Sequence, residues 1–488
     1  MKAEFRKQWR NTIGHDRVEP LQLITAEKLS DLQAIIKAAS EKKFKVRCAG
    51  SGHSFNDIAC SSGFLVTNDK MNQLLELPPY IKETEIKKAE EKNQKFIQVE
   101  AGITIRRLNH ALDKMELSIV SMGGIDHQTL AGAIATGTHG SGIELPPIHG
   151  MVRSLLLAAG DGKLYRIEPS NGISDPAIYN EENITLVQND DVFYSVLVSL
   201  GCMGIVYSYI LCVEKLYWLE EKKVIEKWSD IKPKLKDKSL LKEGRHVMVL
   251  VNPYETNGDH SCLVTRINYT PKPKNIFWRD KRNFIITTLS EWPVTYWVVW
   301  LLFRLFYKRT PKRIDSSMRI LRDDSYIGKS YDVLFQGLQF LKEKSYDAEF
   351  VFDLEDNSFL DCIENLFITA KRFAEQGKIF QSSPIGLRFV MPDTAYLSPG
   401  YGRAVCYIDT PVLKRTTGGD ELLEAYQQDM FACGGFPHWG KKNIKLSGHL
   451  DKIKTHFPRL SEWRAVQKKY DPQKLFTNLY TERFQLIE

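Results

Sequence analysis

The stretch "VRCAGSGHSFND" (residues 46–57) puts two glycines and a histidine into a turn where an ordinary chain would want neither. Just upstream, "KKFKVRC" has the alternation and β-branching of a strand end, so the turn leaves a strand. Gly50 and Gly52 bracket Ser51, and His53 and Ser54 follow at once. Successive glycine-rich amides leaving a strand form a concave site for an anion such as a pyrophosphate. The GxG lacks the third glycine of the dinucleotide fingerprint, and GxxxxGK[ST] is absent, so neither common nucleotide motif explains it. Before it, residues 24–43 carry Leu29, Leu32, Ile35 and Ile36 at helical spacing, an amphipathic helix that feeds the strand.

Working outward, "IQVEAG" (97–102) reads as a strand and "ITIRRLNHALDKMEL" (103–117) as a helix. The glycine-rich "GGIDHQTLAGAIATGTHGSG" (123–142) packs poorly as core and well against a flat ligand. It repeats the pattern of a glycine turn followed by a histidine, His139, about eighty residues after His53. Residues 154–167 read as a hairpin turned by Asp161-Gly162, and "SLGCMGIVYSYILCV" (199–213) as a small-residue turn entering a buried strand. The texture then becomes lysine-rich with few glycines to about residue 430, and the chain closes with "GGFPHWGKKN" (434–443) and "YDPQKLFTNLYTERF" (470–484). The expected division is 1–213, 214–430 and a closing segment 431–488.

Composition excludes whole classes. At 43% hydrophobic and 26% charged, the 488 residues are neither disordered nor fibrous. The net charge of +7 is spread over 67 basic and 60 acidic residues, and aromatics do not interleave with basic residues, so nucleic-acid binding is not expected. Eight scattered cysteines without CxxC read as reduced thiols in a cytoplasmic protein, and the charged start shows no secretory signal. His110, His127, His139 and His149 lack zinc spacing, and HExxH and GxSxG are missing, so no metal is expected. The uncharged tract "WPVTYWVVWLLF" (292–303) is flanked by Arg279, Lys281 and Arg282 and by Arg304, Lys308, Arg309, Lys312 and Arg313. It is too short to span a bilayer; it is either a core helix or a peripheral membrane contact.

The segment 46–77 resembles the flavin-attachment region of the vanillyl-alcohol-oxidase-type (PCMH-type) FAD enzymes, in the sugar-lactone and alditol oxidase branch. "TLAGAIATGTHGSG", "GCMGIV", "GGFPHWGK" and "YDPQKLFTNLY" follow in family order. The resemblance implies an α+β fold, with a two-subdomain FAD-binding domain and an α+β substrate (cap) domain. It implies FAD joined covalently to His53 and its pyrophosphate on the amides of Gly50, Ser51, Gly52, His53 and Ser54. It also implies a flavin lined by Gly132, Thr136, Gly137, His139 and Gly140, and an adenosine held by Gly204 and Ile205. On the substrate side it points to Lys441 with His438 beside it, to Arg388 and to Glu349, the last of which reads equally as a surface carboxylate. The chain departs from the branch at Gly386, where a Glu-x-Arg pattern is usual; Asp409, sharing a strand face with Tyr407, is the candidate replacement.

The implied activity is oxidation of a CH–OH group of a sugar-1,4-lactone of the L-gulono or D-arabinono type, or of a polyol, with hydride passing to flavin N5. Electrons then go to O2, giving H2O2, or to a carrier. Two alternatives stay open: a dehydrogenase for a sterol or other lipid-like alcohol on the same scaffold, and a flavin-binding interaction protein without turnover.

Overall fold

The computed structural model describes residues 1–274, 292–336 and 344–488. The first of its sheets has the strand order Lys2–Phe5, Gln22–Thr25, Phe64–Thr67, Val46–Ala49, antiparallel at the first pair and parallel at the other two. Helix Leu29–Lys42 joins the second strand to the last and buries Leu32, Ile35, Ile36 and Ala39 against Val46, Phe64 and Val66. The apolar spacing of 24–43 therefore marks the face that is buried.

The second sheet runs Ile184–Gln188, Leu164–Glu168, Val152–Ala159, Gly204–Lys215, Gln94–Glu100, Leu74–Leu75. Its hairpin turns at Asp161-Gly162, where Gly162 takes φ +84°. The expected helix after the Gln94–Glu100 strand is Ile105–Asp113, capped by Thr104, whose hydroxyl accepts from the Arg107 N–H.

The third sheet has eight strands in the order Asp323–Lys329, Trp218–Lys227, Asp259–Thr270, His246–Thr256, Ile385–Val390, Val405–Asp409, Glu349–Asp353, Phe436–Pro437. Its register sets up the substrate side. Asp409 stands opposite Gly386 on one neighbour and Glu349 on the other, and Arg388 stands opposite Tyr407. Residues directly opposite in an antiparallel ladder share a face, so these side chains form one patch.

The closing segment returns to the beginning of the chain. Leu475 and Phe476 join the core of the first sheet, and the Val46 N–H donates to Leu475 O at 2.8 Å. Arg47, 3% exposed, donates to the carbonyls of Ile58, Leu200, Gly201 and Phe476, tying three turns together through one guanidinium.

The tract 292–303 forms most of helix Pro293–Leu305 and is not a core helix. Tyr296 is buried, whereas Trp292, Trp297, Val298, Leu301 and Leu305 are 46–61% exposed. Among the described residues no helix is long and apolar enough to cross a membrane. The flanking Arg279, Lys281 and Arg282 lie outside the described residues.

Candidate active site

One cavity of about 270 Å³ gathers both glycine turns and the substrate-side residues. Gly50, Ser51, Gly52, His53, Ser54, Gly132, Thr136, His139, Gly204 and Ile205 line it, together with Glu349, Arg388, Asp409, His438 and Lys441. Gly137 and Gly140 do not line it. Gly137, at φ +73°, presents its carbonyl to His438 Nε2 at 3.4 Å. Gly140 packs behind the wall, where a Cβ would meet Ser121 Oγ at 2.6 Å.

The walls fit a dinucleotide flavin. A Cβ on Gly50 would sit 2.0 Å from the side-chain Oγ1 of Thr129, and one on Gly204 would sit 2.3 Å from the backbone oxygen of Ala158, so neither position has room for a larger residue. Gly52 turns through φ +69°. Among the described residues the amides of Ser51, Gly52, His53 and Ser54 find no protein acceptor, which leaves a row of donors for phosphate oxygens. Gln128, on the same cavity, has its Oε1 buried without a partner. His53 is held neutral, its pKa lowered to about 4 by burial and by the nearby His127.

The loop of "GGFPHWGKKN" is pinned onto this turn. The Phe55 N–H donates to Gly440 O at 2.8 Å, and Asn56 Nδ2 donates to the carbonyls of Trp439 and Lys441 at 2.7 and 2.8 Å. Thr12 and Asn11 brace the turn from the other side through Gly52 O and Ser54 O. His53 and Lys441, 388 positions apart in sequence, thus share one rigid rim.

Lys441 is not a surface lysine. Its ammonium contacts Asp347 Oδ2 and lies 3.2 Å from Asp409 Oδ1 and 3.5 Å from Glu349 Oε2. Burial works against its charge, but Asp347, Asp409 and Glu349 outweigh that and push its pKa up. Against the same burial penalty, Lys441 and then His139 hold Glu349 well below the usual carboxylate range. Lys441 and a hydrogen bond from Asp347 likewise lower Asp409. Glu349 is 2% exposed, which removes its reading as a surface carboxylate. Arg388 donates to Gln336 Oε1 at 3.2 Å and adds its charge beside Asp409.

His139, Glu349 and His438 bring their ligand atoms within 4.8 Å of one another. His438 Nδ1 accepts the Gly440 N–H at 3.0 Å and its Nε2 faces Gly137 O, so neither nitrogen is free for a cation. His139 Nδ1 faces Gly140 O at 3.0 Å and its Nε2 faces Glu349 Oε1 at 3.5 Å, with the ring stacked on Tyr407 at 3.6 Å. Both ring nitrogens look onto oxygen acceptors.

Sequence reasoning missed Asp347, Gln336 and Arg47. None sits in a motif, and each enters the site through strand register or long-range packing.

The groove and the charged patch over it define a flavin-dependent oxidoreductase, and the comparisons agree. Residues 20–168 match the FAD binding domain model, and residues 211–484 match the D-arabinono-1,4-lactone oxidase model. The chain is 26% identical to L-gulonolactone oxidase of Mus musculus, over 98% of this chain and 97% of that protein. It is 30% identical to mitochondrial L-galactono-1,4-lactone dehydrogenase of Brassica oleracea, over 97% of this chain and 82% of that one. A solvent-stable cholesterol oxidase shares the fold at TM-score 0.76 and 14% identity, covering 98% of this chain and 97% of its own. The chain belongs to the D-arabinono-1,4-lactone oxidase family: it is an FAD-dependent oxidoreductase of the aldonolactone-oxidising class.

Proposed function

We propose that this protein oxidises the CH–OH group of a sugar-1,4-lactone of the L-gulono or D-arabinono type and passes the electrons to O2, giving H2O2. The observation that carries the reading is the Lys441 cluster at the end of a glycine-walled flavin groove. Bound FAD supplies a two-electron acceptor for the hydride of the carbinol carbon. The chain's own part is to bind and orient. Ser51 to Ser54 hold phosphate with backbone amides, Gly132 and Thr136 admit the ring closely, and Gly204 with Ile205 take the adenosine end. Lys441 and Arg388 keep positive charge beside the reacting oxygen, and His139 packs against Glu349 within the wall.

His53, neutral and on the cavity wall, is the residue for a covalent bond to FAD. Acid precipitation should leave yellow colour in the wild-type pellet, and His53→Ala should release it to the supernatant; colour that stays in the mutant pellet removes the assignment. An oxygen electrode with peroxide detection tests the acceptor. Equimolar O2 uptake and H2O2 release support an oxidase, and turnover that needs an added carrier makes the protein a dehydrogenase like its Brassica relative.

The chain divides on this reading into a FAD-binding part (1–213), a substrate part (214–430) and a closing segment (431–488). Helix Pro293–Leu305 adds a peripheral contact with an anionic lipid surface. It is fixed by Tyr296 Oη to Lys414 O and Trp300 Nε1 to Arg415 O, and its exposed apolar side is followed by Arg304, Lys308, Arg309, Lys312 and Arg313. Eight free cysteines support a reducing, cytoplasmic setting.

A further inference from the structure

Asp347 belongs to no motif, yet it occupies the centre of the substrate side. It lies between the short strand Ser345–Tyr346 and the strand Glu349–Asp353, with its side chain 7% exposed on the cavity wall. One oxygen contacts Lys441, whose ammonium also lies 3.2 Å from Asp409 Oδ1, so one cation bridges the two carboxyls. Asp347 Oδ1 is buried and receives no N–H or O–H from the described protein. Buried acceptors without donors are costly, and a ligand that brings hydroxyl groups removes the cost.

Gly386 presents no side chain to this pair. It stands directly opposite Asp409, and a Cβ there would lie 3.4 Å from Asp409 Cβ and 3.6 Å from Oδ2, ordinary contact distances. Gly386 therefore sets no side chain in the space beside Asp409, while Asp347 brings a second carboxyl from the neighbouring strand connection. An apolar alcohol in that space would leave the oxygens unpaired.

We propose that the Asp347–Asp409 carboxyl pair, opposite Gly386, is a subsite for two adjacent hydroxyl groups of a cyclic polyhydroxylated substrate. Adjacent ring hydroxyls present two donors side by side, and the two carboxyls, both on the cavity wall, offer an acceptor to each. The inference rests on the lactone reading above and assigns the group that selects within it.

Its pH dependence follows from the groups that face Asp347, which are Lys441, Asp409 and Glu349, with Arg388 acting on Asp409. Burial, and then Asp409, raise the Asp347 carboxyl well above its usual range. Loss of a proton from Asp347 as pH rises puts a second negative charge in the subsite and weakens hydroxyl binding.

The test uses FAD-loaded enzyme under anaerobic conditions, with flavin reduction followed against the concentration of D-arabinono-1,4-lactone and of its 3-deoxy analogue. Where a lactone does not reduce the flavin, the same titrations are read by calorimetry, so a failure of the catalytic reading is seen separately. Asp347→Ala should weaken the lactone by about ten-fold or more and the 3-deoxy analogue by less than about three-fold. Asp347→Asn, which keeps the shape and a donor but cannot titrate, should bind within about three-fold of wild type at pH 7 and lose the alkaline weakening. If Asp347→Ala does not fold, the Asp347→Asn pH profile decides. Equal losses for both ligands, no loss at all, an unchanged profile in Asp347→Asn, or no lactone binding by wild type each overturns the subsite.

Discussion

Lys441→Met removes the one ammonium that faces Asp347, Glu349 and Asp409. At 3.2 Å from Asp409 and 3.5 Å from Glu349, and with an effective dielectric of about 20, each attraction amounts to about 5 kcal/mol. The variant keeps only Arg388 beside Asp409, so its folded state takes up protons instead. Neutralising one carboxyl of ordinary pKa near 4 costs about 1.4 kcal/mol for each pH unit above that value, roughly 5 kcal/mol at pH 8 and 1–2 kcal/mol at pH 5. The sign follows from the depressed pKa values of Glu349 and Asp409: their contribution is present above the unfolded value and fades as pH falls through the folded one. The loss in Lys441→Met should therefore be large in mild alkali and small in acid. For a chain of this size it corresponds to a melting temperature lower by roughly 5–10 °C at pH 8. Thermal scans of FAD-loaded protein at pH 5, 6.5 and 8, at one scan rate, read the effect. An equal drop at pH 5 and pH 8, or almost no drop at pH 8, refutes the charge cluster as described.

Gly50→Ala forces a Cβ to 2.0 Å from Thr129 Oγ1 and should leave less than about a tenth of the purified protein loaded with FAD by absorbance. Gly162→Ala, at φ +84° with nothing within 4 Å, should cost only about 1 kcal/mol of stability and keep full FAD. Cys433 is lowered to about 6 by a hydrogen bond from Cys362 and by Asn365, whereas burial pushes Cys48 and Cys60 up to about 12. Brief iodoacetamide treatment at pH 7 with peptide mass spectrometry should find Cys433 labelled before either of those two. The protein should float with phosphatidylserine-containing liposomes at low salt and less at high salt, and Trp297→Glu with Leu301→Glu should abolish flotation in both.

Much of the flavin half was legible because its chemistry is local. A strand, a glycine turn and a histidine within "VRCAGSGHSFND" specify an amide-lined anion site, and the steric demands at Gly50 and Gly204 are of the kind that only glycine meets. The substrate half is assembled by register. Asp409 faces Gly386 and Glu349 because three antiparallel strands align them, and Asp347 arrives from a connection with no signature of its own. Gly140 shows the converse, a glycine inside a legible motif that serves backbone packing behind the wall. Apolar content alone left helix Pro293–Leu305 open between core and surface, since periodicity does not tell which surface an all-apolar helix meets; its exposed tryptophans and leucines decide that.

The most direct measurement is anaerobic mixing of FAD-loaded protein with L-gulono-1,4-lactone, D-arabinono-1,4-lactone and cholesterol, with the flavin absorbance followed through the reaction. Bleaching by at least one of the two lactones and none by cholesterol is the predicted result; a flavin that stays oxidised with both lactones, or that cholesterol reduces, contradicts it.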